Sequence, residues 1–93
     1  MNKTWGNYKV LVTGKNYKVK MLTLNPHSKT SLQLHHHRSE FWVFIDDENK
    51  FRYELVPVRK KHQLKNDRDK SMHILEVQFG EQCVEKDIER ISI

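Results

Sequence analysis

Three consecutive histidines near the middle of the chain offer the side chains from which a metal site could be built. Residues 35–37 are all histidine, and Glu40 follows three positions after the last of them. On a β-strand, side chains alternate between faces, so His35 and His37 should point one way and His36 the other. Two imidazoles on one strand face form half a site for a first-row transition metal. The spacing therefore predicts a divalent metal centre.

The remaining ligands must come from elsewhere in the chain, and His62 is the candidate with the best position. It follows the turn-like segment 57–61 at the predicted start of a strand, whereas His27 lies in a predicted turn and His73 alternates with apolar residues. We interpret four side chains as one metal site: His35, His37, Glu40 and His62.

Glu40 fits this site in one of two ways. An unbroken strand would place it on the face of His36, so a bulge near Arg38 is needed to bring its carboxylate to the metal. Alternatively, Glu40 orients an imidazole ligand without binding the metal itself. A further alternative is that the three histidines form a solvated strand end that holds no metal.

Short β-strands separated by turns must position these residues. Apolar and polar residues alternate along several segments, and no long segment has the 3.6-residue period of an amphipathic helix. The pattern predicts an all-β barrel or sandwich of roughly seven or eight antiparallel strands. The main predicted strands cover residues 8–12, 17–24, 30–37, 40–45, 51–56, 62–64 and 72–79. Residues 85–89 fit either one helical turn or an extended tail.

Length and composition predict a single small domain over residues 1–93. The apolar fraction is 37% and the charged fraction is 31%. Such a composition suits a small domain with a polar, solvated surface that buries further area in an oligomer. The formal charge is +5, but the basic residues are spread along the chain. Because no basic stripe is interleaved with aromatic residues, we do not expect nucleic-acid binding.

The sequence also predicts the compartment. No apolar run approaches the ~20 residues of a membrane-spanning helix, and residues 1–6 lack the apolar core of a signal peptide. Cys83 is the only cysteine, so no disulfide can form within the chain. We therefore expect a cytoplasmic protein that does not contact membranes.

Taken in order, these residues resemble the cupin domain of type II mannose-6-phosphate isomerases. The most specific feature is the Gln-x-His-x-His-Arg-x-Glu-x-Trp pattern at residues 33–42, and the resemblance runs from Trp5 to Arg90. The same domain forms the C-terminal part of bifunctional mannose-1-phosphate guanylyltransferase/mannose-6-phosphate isomerases. The resemblance implies a small jelly-roll-like cupin barrel, a divalent metal ion (zinc, manganese, iron or nickel) and isomerisation of a sugar phosphate.

Two departures from that family lead to further expectations. Arg59 stands where the family usually has a glycine, and because glycine takes positive φ freely, we expect this turn to change shape. The segment from Trp42 to Pro57 is shorter than in the family by roughly a dozen residues, the length of one short hairpin. Strand edges left open by the missing hairpin would favour a homodimer.

Four polar side chains are candidates for contacts with a sugar phosphate. Gln33 shares a strand face with His35, so its amide could bind a sugar hydroxyl or a metal-bound water. If the face of the 72–79 strand that carries Glu76 points inward, Glu76 could carry the proton in an aldose–ketose isomerisation. Arg52 and Lys60 are the candidate cations for binding the phosphate, and the alternative for each is a solvated position on the surface.

Two other functions remain open at this point. The domain could be a non-catalytic module that binds a metal and a small anionic sugar. It could also catalyse a different metal-dependent cupin reaction on a small anionic substrate, because the fold and the ligands do not determine the reaction.

Overall fold

The computed structural model describes residues 1–46, 50–81, 83 and 86–92, and within these ranges the regular structure consists of β-strands. The strands are β1 (Asn2–Lys3), β2 (Gly6–Thr13), β3 (Tyr17–Leu24), β4 (Ser28–Lys29), β5 (Leu32–Leu34), β6 (Arg38–Phe44), β7 (Arg52–Val56), β8 (Lys65–Asn66), β9 (Met72–Gly80) and β10 (Glu89–Ser92). No helix in the described part of the chain is long and apolar enough to cross a membrane.

One large antiparallel sheet forms the main wall of the domain. Its strand order is β1-β2-β3-β9-β6-β7. Two small antiparallel sheets, β5 with β10 and β4 with β8, lie over its inner face together with a bridge between Gln33 and His62. The apolar core lies between these layers and contains Tyr8, Leu22, Leu24, Trp42, Phe44, Val56, Leu64, Met72 and Ile74. The predicted all-β antiparallel class is thus confirmed.

Segment 35–37 is the main place where the strands differ from the prediction. β5 ends at Leu34 and β6 begins at Arg38, so the three histidines form a turn between strands. The Asp87 carboxylate accepts hydrogen bonds from the backbone N–H groups of His36 (3.1 Å) and His37 (3.0 Å). A side chain near the C-terminus therefore satisfies donors that a partner strand would otherwise pair.

The inward face of β9 is polar, which the alternating pattern alone could not decide. Glu76 and Gln78 are buried on this face, with Ile74 beside them, while Leu75 and Val77 point outward. Glu76 lies opposite Lys20 of β3 and opposite Trp42 of β6. The three central strands thus bring polar side chains together inside the fold.

The turn at Arg59 does not change shape, so the expectation drawn from the replacement of glycine was wrong. Its φ is +64°, so it adopts the left-handed conformation that a glycine would take, and its N–H donates to the carbonyl of His35 at 2.7 Å. The turn therefore keeps a glycine-like backbone. The Cβ of Arg59 makes this left-handed conformation less stable than it would be for glycine.

Arg59→Gly is therefore expected to stabilise the protein. Removing the Cβ relieves the left-handed strain, and the added flexibility of the unfolded chain offsets part of the gain, leaving about 0.5–1 kcal/mol. Urea unfolding measures this difference. Lys60→Gly in the same turn is the matched control and should lower the stability, since Lys60 has no such strain to relieve. Equal or lower stability of Arg59→Gly would contradict the assignment.

Asp46 joins the end of β6 to the start of β9. Its carboxylate accepts hydrogen bonds from the backbone N–H of His73 and from Nδ1 of the same residue at 2.9 Å, and Arg68 Nη1 lies 3.9 Å away. Partial burial would raise the pKa of Asp46, but the hydrogen bonds and charge of His73, with the charge of Arg68, lower it below its usual value. The folded state therefore favours the ionised carboxylate.

Asp46→Asn should consequently weaken the fold in a pH-dependent manner. A lowered carboxyl pKa contributes stability above the unfolded value of about 3.9, and that contribution is lost as the pH falls through the folded value. We expect a loss of about 1 kcal/mol at pH 7 that vanishes in strong acid. Urea unfolding between pH 7 and pH 2.5 measures it, with the exposed Asp67→Asn as control. Parallel pH profiles for the wild type and Asp46→Asn would refute this role.

Candidate metal centre

Three of the predicted ligands meet in a buried cluster. His35 Nε2 lies 3.2 Å from Glu40 Oε2, and His62 Nε2 lies 3.6 Å from Glu40 Oε1. The ligand atoms of the three side chains lie within 4.8 Å of one another. Glu40 is 2% exposed and His35 3%. This cluster of His35, Glu40 and His62 is called the His–Glu cluster below.

Backbone pairing brings His62 to the cluster from a distant part of the chain. The main chains of Gln33 and His62 exchange two hydrogen bonds, from His62 N to Gln33 O at 2.8 Å and from Gln33 N to His62 O at 3.0 Å. The rings of His35 and His62 then lie 4.9 Å apart, and the ring of Trp42 meets His62 edge-on at 5.4 Å. The fold thus fixes both imidazoles before any ligand binds.

Backbone carbonyls orient both rings. His35 Nδ1 hydrogen-bonds to the carbonyl of Asp87, and His62 Nδ1 to the carbonyl of Lys60 at 3.1 Å. Because a carbonyl can only accept, each Nδ1 must carry the hydrogen and each Nε2 faces the cluster. Carbonyl partners of this kind are typical of metal-binding histidines.

Arg38 adds a cation to the cluster. Its Nε and Nη2 both lie 3.1 Å from Glu40 Oε2, and its Nη2 lies 3.2 Å from His35 Nε2. The guanidinium neutralises the buried carboxylate, which would otherwise be costly to remove from water. A bound metal ion and Arg38 would therefore share the negative charge of Glu40.

The charges of the cluster are set by burial and by these contacts. Burial acts to raise the pKa of Glu40, but the hydrogen bond and charge of His35, the hydrogen bond with Glu76 and the charge of Arg38 lower it to about 2. Burial lowers the pKa of His62 against the opposing attraction of Glu40. At neutral pH Glu40 is thus ionised and His62 neutral, which are the protonation states that these two residues need to bind a metal.

Glu76 lies beside the cluster as a second buried carboxyl group. The indole N–H of Trp42 lies within hydrogen-bonding distance of Glu40 Oε1 at 3.1 Å and of Glu76 Oε1 at 3.3 Å, and Gln78 Nε2 donates to Glu76 Oε2 at 2.9 Å. Burial and the neighbouring Glu40 carboxylate raise the pKa of Glu76 to about 8, against the attraction of Lys20. The two carboxyl groups are thus held in different protonation states.

These side chains line a cavity of about 100 Å³. A water molecule takes up about 30 Å³ of liquid, so the space suits an ion with a few waters or the end of a small molecule. Besides the His–Glu cluster, the lining includes Gln33, Arg38, Glu76, Lys20 and Trp42, and the exposed residues Lys3 and Arg90.

His37 does not lie where the strand pattern predicted. Its side chain is exposed, whereas that of His35 is buried, so the two do not share a face. The alternation breaks because residues 35–37 form a turn, and it is Arg38 that points inward beside Glu40. This break also removes the need for a bulge within β6, since Glu40 lies on the inward face of that strand directly.

The other three candidate substrate contacts, besides Glu76, have different surroundings. Gln33 lines the cavity, and its Nε2 donates to the carbonyl and hydroxyl oxygens of Ser31, both at 3.3 Å. Arg52 stacks over the ring of Phe44 at 3.9 Å and lines a neighbouring cavity of about 390 Å³ that also touches Trp42. Lys60 is exposed and contributes its backbone carbonyl to His62.

Three residues of the site were missed in the sequence. Lys20 shares a strand face with Leu22 and Leu24, which gave a signal that its side chain is buried; in the structure its ammonium group lies 4.2 Å from the ring centre of Tyr8. Arg38 and Asp87 gave no comparable signal, since their roles depend on where the turn at 35–37 forms.

The donor set fits a divalent metal ion. Two imidazole Nε2 atoms and one carboxylate, all from buried side chains, converge on one pocket, and both rings are fixed by hydrogen bonds at Nδ1. Mixed nitrogen and oxygen donors of this kind suit zinc, iron, manganese or nickel. Water or substrate oxygen would complete the coordination.

Solved structures with the same fold define the class of the protein. The capsular polysaccharide assembling protein CapF from Staphylococcus aureus matches with a TM-score of 0.78 at 17% identity, over 98% of this chain and 31% of that one. A sugar phosphate isomerase from a cupin superfamily of Silicibacter pomeroyi matches with a TM-score of 0.58 at 18% identity, over 69% of this chain and 50% of that one. The fold is that of a cupin.

Sequence comparison places the chain more narrowly. Residues 1–92 match the family described as "Mannose-6-phosphate isomerase C-terminal", and the chain belongs to this family. The alginate biosynthesis protein AlgA of Pseudomonas putida is 35% identical over 100 residues, which cover 95% of this chain and 21% of AlgA. The mannose-1-phosphate guanylyltransferase RfbM of Salmonella typhimurium is 31% identical over 102 residues, with the same coverage. The chain therefore spans about a fifth of the length of these relatives.

Proposed function

We propose that this domain is a metal-dependent sugar-phosphate isomerase that interconverts mannose 6-phosphate and fructose 6-phosphate at the His–Glu cluster. The observation that carries the proposal is the cluster beside the buried carboxyl group of Glu76, joined to Glu40 through the indole of Trp42. Membership of the isomerase C-terminal family supports the choice of substrate.

The reaction moves a proton between C2 and C1 of the open-chain sugar through an enediolate, so it needs a proton carrier and stabilisation of a negatively charged oxygen. A bound divalent ion supplies Lewis-acid stabilisation of that charge. In our proposal His35, Glu40 and His62 hold the ion, and Glu76, in its carboxylate form, takes the proton from C2 and returns it to C1. The Gln33 amide orients a sugar hydroxyl.

The size of the cavity indicates how such a substrate would lie. A hexose phosphate is larger than about 100 Å³, so the reacting end would enter and the phosphate would remain near the surface. Exposed Lys3 and Arg90 line the same cavity and supply positive charge there. Arg52, in the neighbouring cavity, and the exposed Lys60 are the alternative phosphate contacts.

The proposal is tested by a coupled assay of fructose 6-phosphate formation from mannose 6-phosphate. Untagged protein is stripped of metal and then reloaded separately with zinc, manganese, iron(II) or nickel. We expect turnover with at least one ion and none after chelation. His62→Ala carried through the same reloading is the matched control, and turnover that persists in this variant would refute the assignment.

A non-catalytic sugar-binding module is the second candidate, and one observation favours it. The alignment with AlgA runs over 100 positions although this chain has 93 residues, so AlgA carries residues that this domain lacks. A module of this kind would bind mannose 6-phosphate in a calorimetric titration with its metal bound, yet would leave the sugar unchanged.

A further inference from the structure

The conversion of mannose 6-phosphate into fructose 6-phosphate needs a second proton transfer, which Glu76 does not supply. In the aldose the oxygen at C2 carries a hydrogen and the oxygen at C1 is a carbonyl, whereas in the ketose these roles are exchanged. One proton must therefore leave O2 and one must reach O1, in addition to the proton that moves between C2 and C1. The site should hold a second group that can both give and take a proton at these oxygens.

Lys20 is a buried lysine in the wall of the cavity that contains the His–Glu cluster. Its side chain is 3% exposed, and its ammonium group lies 4.2 Å from the ring centre of Tyr8. Lysine is almost never buried to this extent, because it is costly to remove an ammonium group from water. The face of the aromatic ring offsets part of this cost. An apolar side chain would often be at least as stable here, so stability alone does not explain the lysine.

The register of the sheet places Lys20 beside Glu76. The two residues lie opposite each other on β3 and β9, and both side chains are buried on the inward face. Residues in such a position have Cβ atoms about 4.5–5.5 Å apart. Burial and Glu40 raise the pKa of Glu76, and the attraction of the Lys20 ammonium opposes this rise. A sugar whose C1 and C2 reach Glu76 would therefore bring O1 and O2 within reach of Lys20.

Other polar side chains of the cavity suit this second transfer less well. The guanidinium of Arg38 stays protonated in proteins, and the amide of Gln33 has no titratable proton. The Tyr8 hydroxyl donates to the sulfur of Met1 at 3.3 Å. Lys3 also lines the cavity with an amine, but it is exposed. An ammonium group has three N–H donors, and after it gives up a proton the amine has a lone pair that can take one back.

We propose, on the basis of the isomerase function proposed above, that Lys20 is a catalytic residue that moves the proton between the sugar oxygens while Glu76 moves the proton between the carbons. As the Glu76 carboxylate removes the proton from C2, a C1=C2 double bond forms and the Lys20 ammonium protonates O1. As Glu76 then protonates C1, the Lys20 amine takes the proton from O2, which becomes the carbonyl oxygen of the ketose. Both side chains end in their starting forms, so protons and electrons balance over the cycle.

Chemical rescue of a lysine deletion tests this role. Lys20→Ala removes the ammonium group and leaves space that ethylammonium can enter, whereas Lys20→Met fills the same space with an apolar side chain. Lys18→Met is the matched control, because Lys18 lies two positions away on β3 and is not among the described residues that line the cavity. Each variant is loaded with the metal ion that supports wild-type turnover. Formation of fructose 6-phosphate is then measured with and without ethylammonium, and circular dichroism and elemental analysis verify folding and metal content.

We expect kcat to fall by about 10²–10⁴-fold in Lys20→Ala and Lys20→Met, the range for a general acid–base group, while KM changes little. Ethylammonium should raise the turnover of Lys20→Ala in proportion to its concentration, and it should leave Lys20→Met and Glu76→Gln unchanged. Lys18→Met should keep the wild-type kcat. If Lys20→Ala does not fold, the kcat of Lys20→Met relative to that of Lys18→Met decides the question.

Two results would overturn this role of Lys20. One is a wild-type kcat in either Lys20 variant. The other is a folded, metal-loaded Lys20→Ala that ethylammonium does not rescue, because the loss of turnover would then be structural. A wild type that shows no turnover would refute the isomerase function itself, and the role of Lys20 with it.

Discussion

His62→Ala is expected to abolish stoichiometric metal binding. The substitution removes one of three donor atoms that converge within 4.8 Å, and it leaves the Glu40 carboxylate without its second imidazole neighbour. Loss of a hydrogen-bonding partner of a ligand alone costs 10–100-fold in affinity, so loss of a ligand should cost more than about a hundredfold. Equilibrium dialysis of untagged protein against zinc, followed by elemental analysis, measures the metal content.

Two histidine substitutions serve as controls for this result. His73→Ala removes an imidazole that is bound to Asp46, away from the cluster. His37→Ala removes the exposed imidazole that the strand pattern had grouped with His35. Both variants should keep about one metal ion per chain. Loss of metal in His37→Ala together with retention in His62→Ala would show that the His–Glu cluster is not the metal site.

Glu76→Gln is expected to remove isomerase turnover while leaving the metal in place. The amide oxygen can accept one of the two hydrogen bonds that Trp42 and Gln78 donate to Glu76, but the amide cannot exchange a proton with the sugar. General acid–base groups contribute about 10²–10⁴-fold, and we expect kcat to fall within this range while KM changes little. Steady-state kinetics on the metal-loaded protein measure both constants.

Glu54→Gln is the matched control for this experiment, since Glu54 is an exposed carboxylate on β7 opposite Trp42. Its turnover should remain that of the wild type. If Glu76→Gln retains full kcat, then Glu76 is not the proton carrier and another group must fill this role.

Much of the fold could be predicted because strand alternation is local information. The 17–24 segment forms β3 at the expected residues, and 72–79 forms β9 with one further residue. The inward direction of Glu76 could not be predicted from its own strand, because both faces of β9 carry apolar residues. It depends on Lys20 and Trp42, which face Glu76 from the neighbouring strands.

The site was harder to predict because its geometry depends on distant contacts. His35, Glu40 and His62 were chosen by residue type and local pattern, and the structure brings these three together. His37 was grouped with them because the prediction assumed a strand through residue 37. Hydrogen bonds donated by the backbone of that segment to the carboxylate of Asp87, fifty residues away in the chain, hold the segment as a turn instead. No local pattern contains such information.

The most direct test of the proposed function is solvent deuterium incorporation during turnover. Metal-loaded wild-type protein is incubated with mannose 6-phosphate in D₂O, and proton NMR follows the sugar. In an enediolate mechanism, a protein group removes the proton from C2 and protonates C1. Because this group can exchange its proton with the solvent in between, we predict fructose 6-phosphate that carries deuterium at C1. Sugar that remains unconverted and unlabelled, with one metal ion bound per chain, would contradict the isomerase proposal.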